Sequence, residues 1–278
     1  MTGIVIAGVG VGQLVGPIVI SRLITKYGWS SAYMILGVAV LILIVVAAQL
    51  LRRDPYQMGQ VPLGESNQKH HELNLGIMDF SLEDAIKTPQ FWILFGIFIC
   101  YGYGVFAIVV HIVPHAIDLK MSPVSAANIL ATRGAVGILG SYMLSALADR
   151  IGNKQVYIIG MAVSSVALIG LSFFNDVTSI YLFTIVFGFV VGGMGASESP
   201  ITAWLFGLSS HGLVYGVVHV GFTVGAAAGP YITGYLYDLT GSYQSAFLTS
   251  AIIMIIGLLL TLTLRPIKRP GTGIRLHR

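Results

Sequence analysis

Ser145-Ala-Leu-Ala-Asp-Arg-Ile-Gly-Asn-Lys154 is the stretch that decides the fold. It is a short charged turn between two long apolar runs, Asn128–Ala148 behind it and Gln155–Phe174 ahead of it. About 20 apolar residues span the hydrocarbon of a bilayer, so runs of this length predict two membrane helices. The few residues between their inner ends permit only a tight turn, which makes the pair a helical hairpin. Asp149, Arg150 and Lys154 fall at the water interface, and Gly152 falls where the chain must reverse.

The rest of the chain extends the pattern. Of 278 residues, 55% are hydrophobic and only 9% are charged. A soluble domain carries about 25% charged residues, so the composition describes a polytopic membrane protein. The apolar runs predict eight spans, at about 3–25, 31–51, 90–113, 126–148, 155–174, 178–205, 213–237 and 244–264. The 34 glycines suit helices that pack closely in lipid through small residues. Met1–Ile24 has no basic front and reads as a span rather than a cleavable signal. Cys100, the sole cysteine, lies inside an apolar run and has no partner for an intrachain disulfide.

Several function classes drop out at once. No basic face remains for nucleic acid once the spans are drawn. No Ser/His/Asp set, phosphate loop or cysteine cluster is present, so neither an enzyme nor a cofactor is expected. His70, His71 and Glu72 have no second ligand pair at suitable spacing, so no metal is expected either. The glycines at 8, 10 and 12 superficially match a dinucleotide loop, but no strand precedes them and no acid follows.

Every connection is short except Arg52–Pro89, a polar linker with Phe80–Lys87 as a candidate surface helix. Placing that linker, the 149–154 loop, the 206–212 loop and the C-terminal tail on one side gathers eleven of the fifteen lysines and arginines there. The positive-inside rule assigns that side to the cytoplasm. The chain also repeats itself. Gly12-Gln-Leu-Val-Gly16-Pro17 recurs as Gly225-Ala-Ala-Ala-Gly229-Pro230, an offset of 213 residues. Eleven residues after each proline comes Gly28 or Gly241, followed by Trp29–Tyr33 or Ser242–Phe247. Six helices fit within that offset. The expected architecture is therefore an all-α membrane bundle of two six-helix halves, of which the eight spans are helices five to twelve. The divisions are 1–52 for the last two helices of the N-terminal half and 53–89 for a cytoplasmic linker. A C-terminal six-helix half follows at 90–265, then a basic cytoplasmic tail at 266–278.

Ionisable groups within spans are costly and default to functional candidates. Arg133 lies roughly 10 Å in from the outer end of its span. Its guanidinium can hold a carboxylate through two parallel hydrogen bonds, or it can snorkel to a helix end. Glu198, in Gly195-Ala-Ser-Glu-Ser-Pro200, is the acid well inside a span and the candidate proton carrier; the bland alternative is a partner for a helix end near Pro200. His111 and His115 flank Pro114, and His219 lies in the seventh span. A neutral imidazole there can donate to a ligand or to a backbone carbonyl. Tyr101 and Tyr103, beside Gly102 and Gly104, offer an aromatic rim or ordinary packing.

The pattern Asp149-Arg150-x-Gly152-x-Lys154 resembles the signature loop of the major facilitator superfamily, with Ser145 and Asn153 where that family usually has Gly and a second basic residue. From Thr88 onward the chain resembles the monocarboxylate transporter and oxalate:formate antiporter branch, N-terminally truncated. The residues that carry this are Thr88-Pro-Gln-Phe-Trp92, His111-x-Val-Pro114-x-Ala116-x-Asp118, Phe206-Gly207 and Gly225-x-x-x-Gly229-Pro230. Relatives in that branch usually carry a substrate arginine eight residues before the loop's aspartate, a position held here by Ser141.

The resemblance implies secondary transport of a small organic anion by alternating access across the cytoplasmic membrane, coupled to protons or to a second solute. The in-span groups then become the expected substrate contacts, at Arg133, His219, His111, His115 and Tyr103, with proton coupling expected at Glu198; the resemblance adds gating by Asp149, Arg150, Gly152 and Lys154. The partners expected are the anion and the lipid bilayer, with the protein a monomer and its C-terminus cytoplasmic. A sugar or drug carrier, an inactive N-terminally truncated fragment, and a membrane enzyme or sensor stand as the alternatives.

Overall fold

The computed structural model describes residues 2–50, 80–174 and 176–267. Those residues are overwhelmingly helical and contain no strand. The elements are α1 (Thr2–Leu50), α2 (Leu82–Ile86), α3 (Pro89–Asp118), α4 (Pro123–Ile151), α5 (Asn153–Phe173), α6 (Val177–Phe206), α7 (His211–Thr240) and α8 (Tyr243–Thr263). Most of the expected linker, 53–79, and the tail from 268 lie outside the described residues.

The chain divides into two compact units, Met1–Val15 with Ile77–Arg278 and, separately, Gly16–Gly76. The described part of the second unit is helix interrupted at Gly28, whose φ of 77° and ψ of 164° break the helical path of α1. A side chain at that positive φ would be strained, so glycine is the residue that permits the break. The spans expected at 3–25 and 31–51 are thus helical on either side of Gly28, as far as Leu50 where the described residues end. By length and hydropathy α1 supplies one crossing-competent stretch, Arg22–Gln49, which with α3 to α8 gives seven among the described residues. Apolar side chains of this second unit, among them Trp29, Met34 and Leu43, are exposed.

The first unit is a bundle whose helix ends are written in the sequence. Thr88, Ser122, Asp176 and Ser242 cap α3, α4, α6 and α8 by accepting from backbone amides of the first turn. Pro89 and Pro123 follow two of those caps, at the helical position that lacks an amide partner anyway. The Ser179 hydroxyl and amide hold the Asp176 carboxyl below its usual range. Gly152, Gly207 and Gly241 terminate α4, α6 and α7 with positive φ. Gly152 alone separates α4 from α5, so the expected hairpin is present.

Packing runs in pairs: α3 lies along α7, α4 along α6, and α5 packs between α6 and α8. Apolar burial between helices gains little when the solvent is itself hydrocarbon, so close backbone approach decides the pairing. On α7, Gly221, Gly225 and Gly229 recur every fourth residue and face the α3 backbone at Phe95, Ile99 and Tyr103. Gly137 and Gly140 of α4 meet Gly192 and Phe189 of α6 in the same way. Phe98, Tyr157, Met161, Phe187, Phe247 and Met254 fill the interior behind these seams. Outward-facing side chains such as Val166, Leu182 and Tyr231 are exposed and apolar or aromatic, the arrangement a lipid solvent requires.

Helix ends gather on two faces. On one, the Lys154 ammonium donates to the carbonyls of Leu262 (3.2 Å) and Leu264 (2.7 Å), and the Phe80 amide donates to the Phe206 carbonyl (3.0 Å). On the other, the Tyr237 hydroxyl donates to Asp118 Oδ2 at 2.8 Å.

Candidate functional site

Two hollows are candidates. The larger, about 490 Å³, lies between α5 and α6 and is lined by residues such as Val166, Leu171 and Phe183, with no ionisable group. The smaller, about 340 Å³, is where polar groups converge: Gln13, Tyr101, Arg133, Glu198, Tyr215 and His219 all line it. These residues all belong to the first unit. Pockets that bind small molecules are mostly apolar with a few placed polar groups, so the smaller hollow is the candidate site.

Arg133 enters from α4. Gly188 of α6 makes room for it, since a Cβ there would stand 3.0 Å from the Arg133 carbonyl oxygen and 3.3 Å from its Cγ. The arginine is buried, at 6% exposure. Its Nη1 donates to Gln13 Oε1 at 2.6 Å, and its Nε has no hydrogen-bond partner. Among the described residues no carboxylate lies within ion-pair distance of the guanidinium.

Glu198 and His219 come together across α6 and α7. Glu198 Oε2 accepts from the Tyr215 hydroxyl at 3.0 Å and lies 3.0 Å from His219 Nδ1. That second contact has ion-pair distance, yet Nδ1 has no well-directed hydrogen bond. The His219 ring stacks on Phe222 at 4.9 Å and meets Phe98 edge-on at 6.1 Å, which fixes its plane. Glu198 itself is buried, while His219 is half-exposed to the cavity. A carboxylate, an imidazole and a phenol sharing one oxygen can pass a proton among them, and a guanidinium in the same chamber can hold an anion.

The other sequence candidates lie elsewhere. His111 bridges α3 to its neighbours, with Nε2 3.0 Å from the Pro230 carbonyl and Nδ1 3.3 Å from the Tyr243 hydroxyl. His115 is buried edge-on against Tyr243 and Phe247. Tyr103 is buried at the α3–α7 seam, where Gly229 approaches its backbone. None of the three lines the cavity. Ser141 turns back to the Ile138 carbonyl at 2.8 Å. Of the loop residues, Asp149 and Arg150 are exposed and Lys154 caps α8.

Three participants were not singled out from the sequence. Gln13 is a long neutral polar side chain in an otherwise apolar and glycine-rich run, a visible signal. Tyr215 lies four residues before His219, and His211 four before Tyr215, so all three share one face of α7. His211 Nε2 is 2.9 Å from the Ser199 hydroxyl, next in sequence to Glu198.

Comparisons with known proteins bear on this arrangement. The chain is 26% identical over 289 residues to monocarboxylate transporter 12 of Mus musculus, covering 96% of this chain and 60% of that protein. It is 26% identical over 229 residues to the uncharacterized MFS-type transporter YhjX of Escherichia coli, covering 80% of this chain and 53% of that protein. The chain spans 42–60% of the length of these and other curated relatives it matches. The solved structure of the E. coli fucose:proton symporter FucP superposes with a TM-score of 0.61 over 88% of this chain and 59% of that one, at 16% identity. That likeness concerns the fold. The family model of the Major Facilitator Superfamily matches residues 1–127 and 94–276. Between them these two matches take in nearly the whole chain, and the protein belongs to the Major Facilitator Superfamily.

Proposed function

We propose that the protein moves a small organic anion of the monocarboxylate class across the cytoplasmic membrane by alternating access, with the 340 Å³ cavity as the binding chamber. Arg133 holds the anion's carboxylate. His219 and Tyr215 line the same chamber, and Glu198 exchanges the coupled proton. The observation that carries this reading is a buried guanidinium without a carboxylate partner among the described residues, opening onto the chamber that holds the Glu198–His219 pair. An unpaired cation in an apolar bundle is costly, and an anionic substrate offsets that cost. The name of the mouse relative supports the same substrate class.

The remaining assignments follow. His111, His115 and Tyr103 hold α3 against α7 and α8 and so fix the chamber's wall. The face that carries Gly152 and Gly207 is cytoplasmic, and the described residues there include Lys87, Arg150, Lys154 and Arg265. Residues 1–52 and 90–265 belong to the two halves, joined by 53–89. Asp149 and Arg150 form the gating latch of the loop, while Lys154 anchors its base to α8.

The test is uptake of radiolabelled lactate, formate and oxalate by cells producing the protein or its variants. Arg133→Ala should abolish uptake. Arg133→Lys should weaken it roughly tenfold, because an ammonium keeps the charge but not the two-pronged hydrogen bonding. Unchanged uptake in both variants removes Arg133 from the site.

A further inference from the structure

Gln13 is a neutral residue, yet it makes the cavity's shortest contact to a cation. The reason it reaches Arg133 is local. Gly10 and Gly134 present no side chains where α1 meets α4, and a Cβ on Gly134 would stand 3.1 Å from both the Gly10 carbonyl oxygen and the Gln13 Cβ. With that approach the Gln13 amide oxygen accepts from Arg133 Nη1 at 2.6 Å, a length typical of hydrogen bonds to a charged group. The guanidinium fork is otherwise unfinished. Its Nε is buried and unpartnered, and both residues line the chamber.

An amide oxygen has the shape of half a carboxylate but no net charge. It satisfies one donor of the guanidinium and leaves the charge uncompensated. We propose that Gln13 is a placeholder for the substrate: an entering carboxylate takes the Arg133 fork, displaces the Gln13 oxygen and releases the bond between α1 and α4. This rests on the reading of Arg133 as the anion site. Two consequences follow. Affinity is set by competition between the amide and the carboxylate for one guanidinium. The helix contact made by that bond exists when the chamber is empty and is broken when it is filled, so occupancy is transmitted to the α1–α4 seam.

The experiment is equilibrium binding of radiolabelled lactate, formate and oxalate to the full chain purified in detergent. Gln13→Ala removes the competitor and should tighten binding roughly three- to tenfold. Gln13→Asn, too short to reach, should behave the same way and serves if the alanine variant is poorly folded. Gln13→Glu places a permanent anion on Arg133 and should weaken binding by at least roughly tenfold. If Arg133→Ala abolishes binding but Gln13→Ala and Gln13→Asn leave it unchanged or weaker, the placeholder is refuted and the anion site stands. If Arg133→Ala binds like the wild type, or the wild type binds none of the three anions, both readings fall.

Discussion

Gly225 and Gly216 lie on the same helix, α7, and should respond in opposite ways to the same substitution. At Gly225 an added Cβ would press on the Ile99 carbonyl oxygen, with the Ile99 carbonyl carbon at 2.9 Å and the Tyr103 amide nitrogen at 2.8 Å. These neighbours are backbone atoms of α3 in a helical ladder, so they cannot rotate away as a side chain would. The methyl group must push α3 and α7 apart, which also loosens the approaches at Gly221 and Gly229. Overpacking of this kind costs about 1–3 kcal/mol. At Gly216 nothing lies within 4 Å of the added Cβ. Alanine there instead gains helix propensity, worth up to about 1 kcal/mol. Thermal unfolding in detergent, followed by intrinsic fluorescence, reads both. Gly225→Ala should lower the midpoint by about 2–12 °C, at roughly 2–4 °C per kcal/mol for the larger chains. Gly216→Ala should leave it unchanged or raise it. Because Tyr215 and His219 ride on the same helix, Gly225→Ala should also weaken anion binding more than Gly216→Ala does. Equal midpoints for the two variants would refute the reasoning that the glycine seam, rather than general apolar packing, sets the α3–α7 distance.

Two further outcomes test the proposed mechanism. Glu198→Gln keeps an acceptor oxygen for the Tyr215 hydroxyl but removes the charge beside His219, so proton-gradient-driven accumulation should vanish while substrate exchange across vesicles stays within about twofold; gradient-driven accumulation at wild-type level would exclude Glu198 as the proton carrier. Asp149→Asn tests the proposed latch, in which the Asp149 carboxylate would act on a helix N-terminus. Loss of such a charge–dipole interaction, worth about 1 kcal/mol, should slow uptake roughly fivefold at equal surface abundance, and full uptake counts against the latch.

The arrangement of the chamber explains why several in-span polar groups divide into two kinds. His111 spends both ring nitrogens on α7 and α8, at the Pro230 carbonyl and the Tyr243 hydroxyl. His219 is on α7, and its ring meets Glu198 and faces the cavity. From sequence both histidines are candidates for substrate contact, each an imidazole in an apolar helix. What separates them is the rotation of each helix about its own axis.

What the sequence determined is local. Span lengths follow from runs of apolar residues, because the bilayer demands a fixed length of buried helix. The helix ends follow from Thr88, Ser122, Asp176 and Ser242 at the starts and from Gly152, Gly207 and Gly241 at the stops, because capping and positive φ are satisfied within a few residues. The signature loop placed the chain in its family. Only the tertiary structure decided which polar groups meet. Arg133 and Gln13 are 120 residues apart, and Tyr215 reaches Glu198 from another helix. Those meetings depend on how each helix is turned toward its neighbour. In lipid that turn is set by glycine-to-backbone contacts between distant segments, for which apolar periodicity within one helix carries no signal.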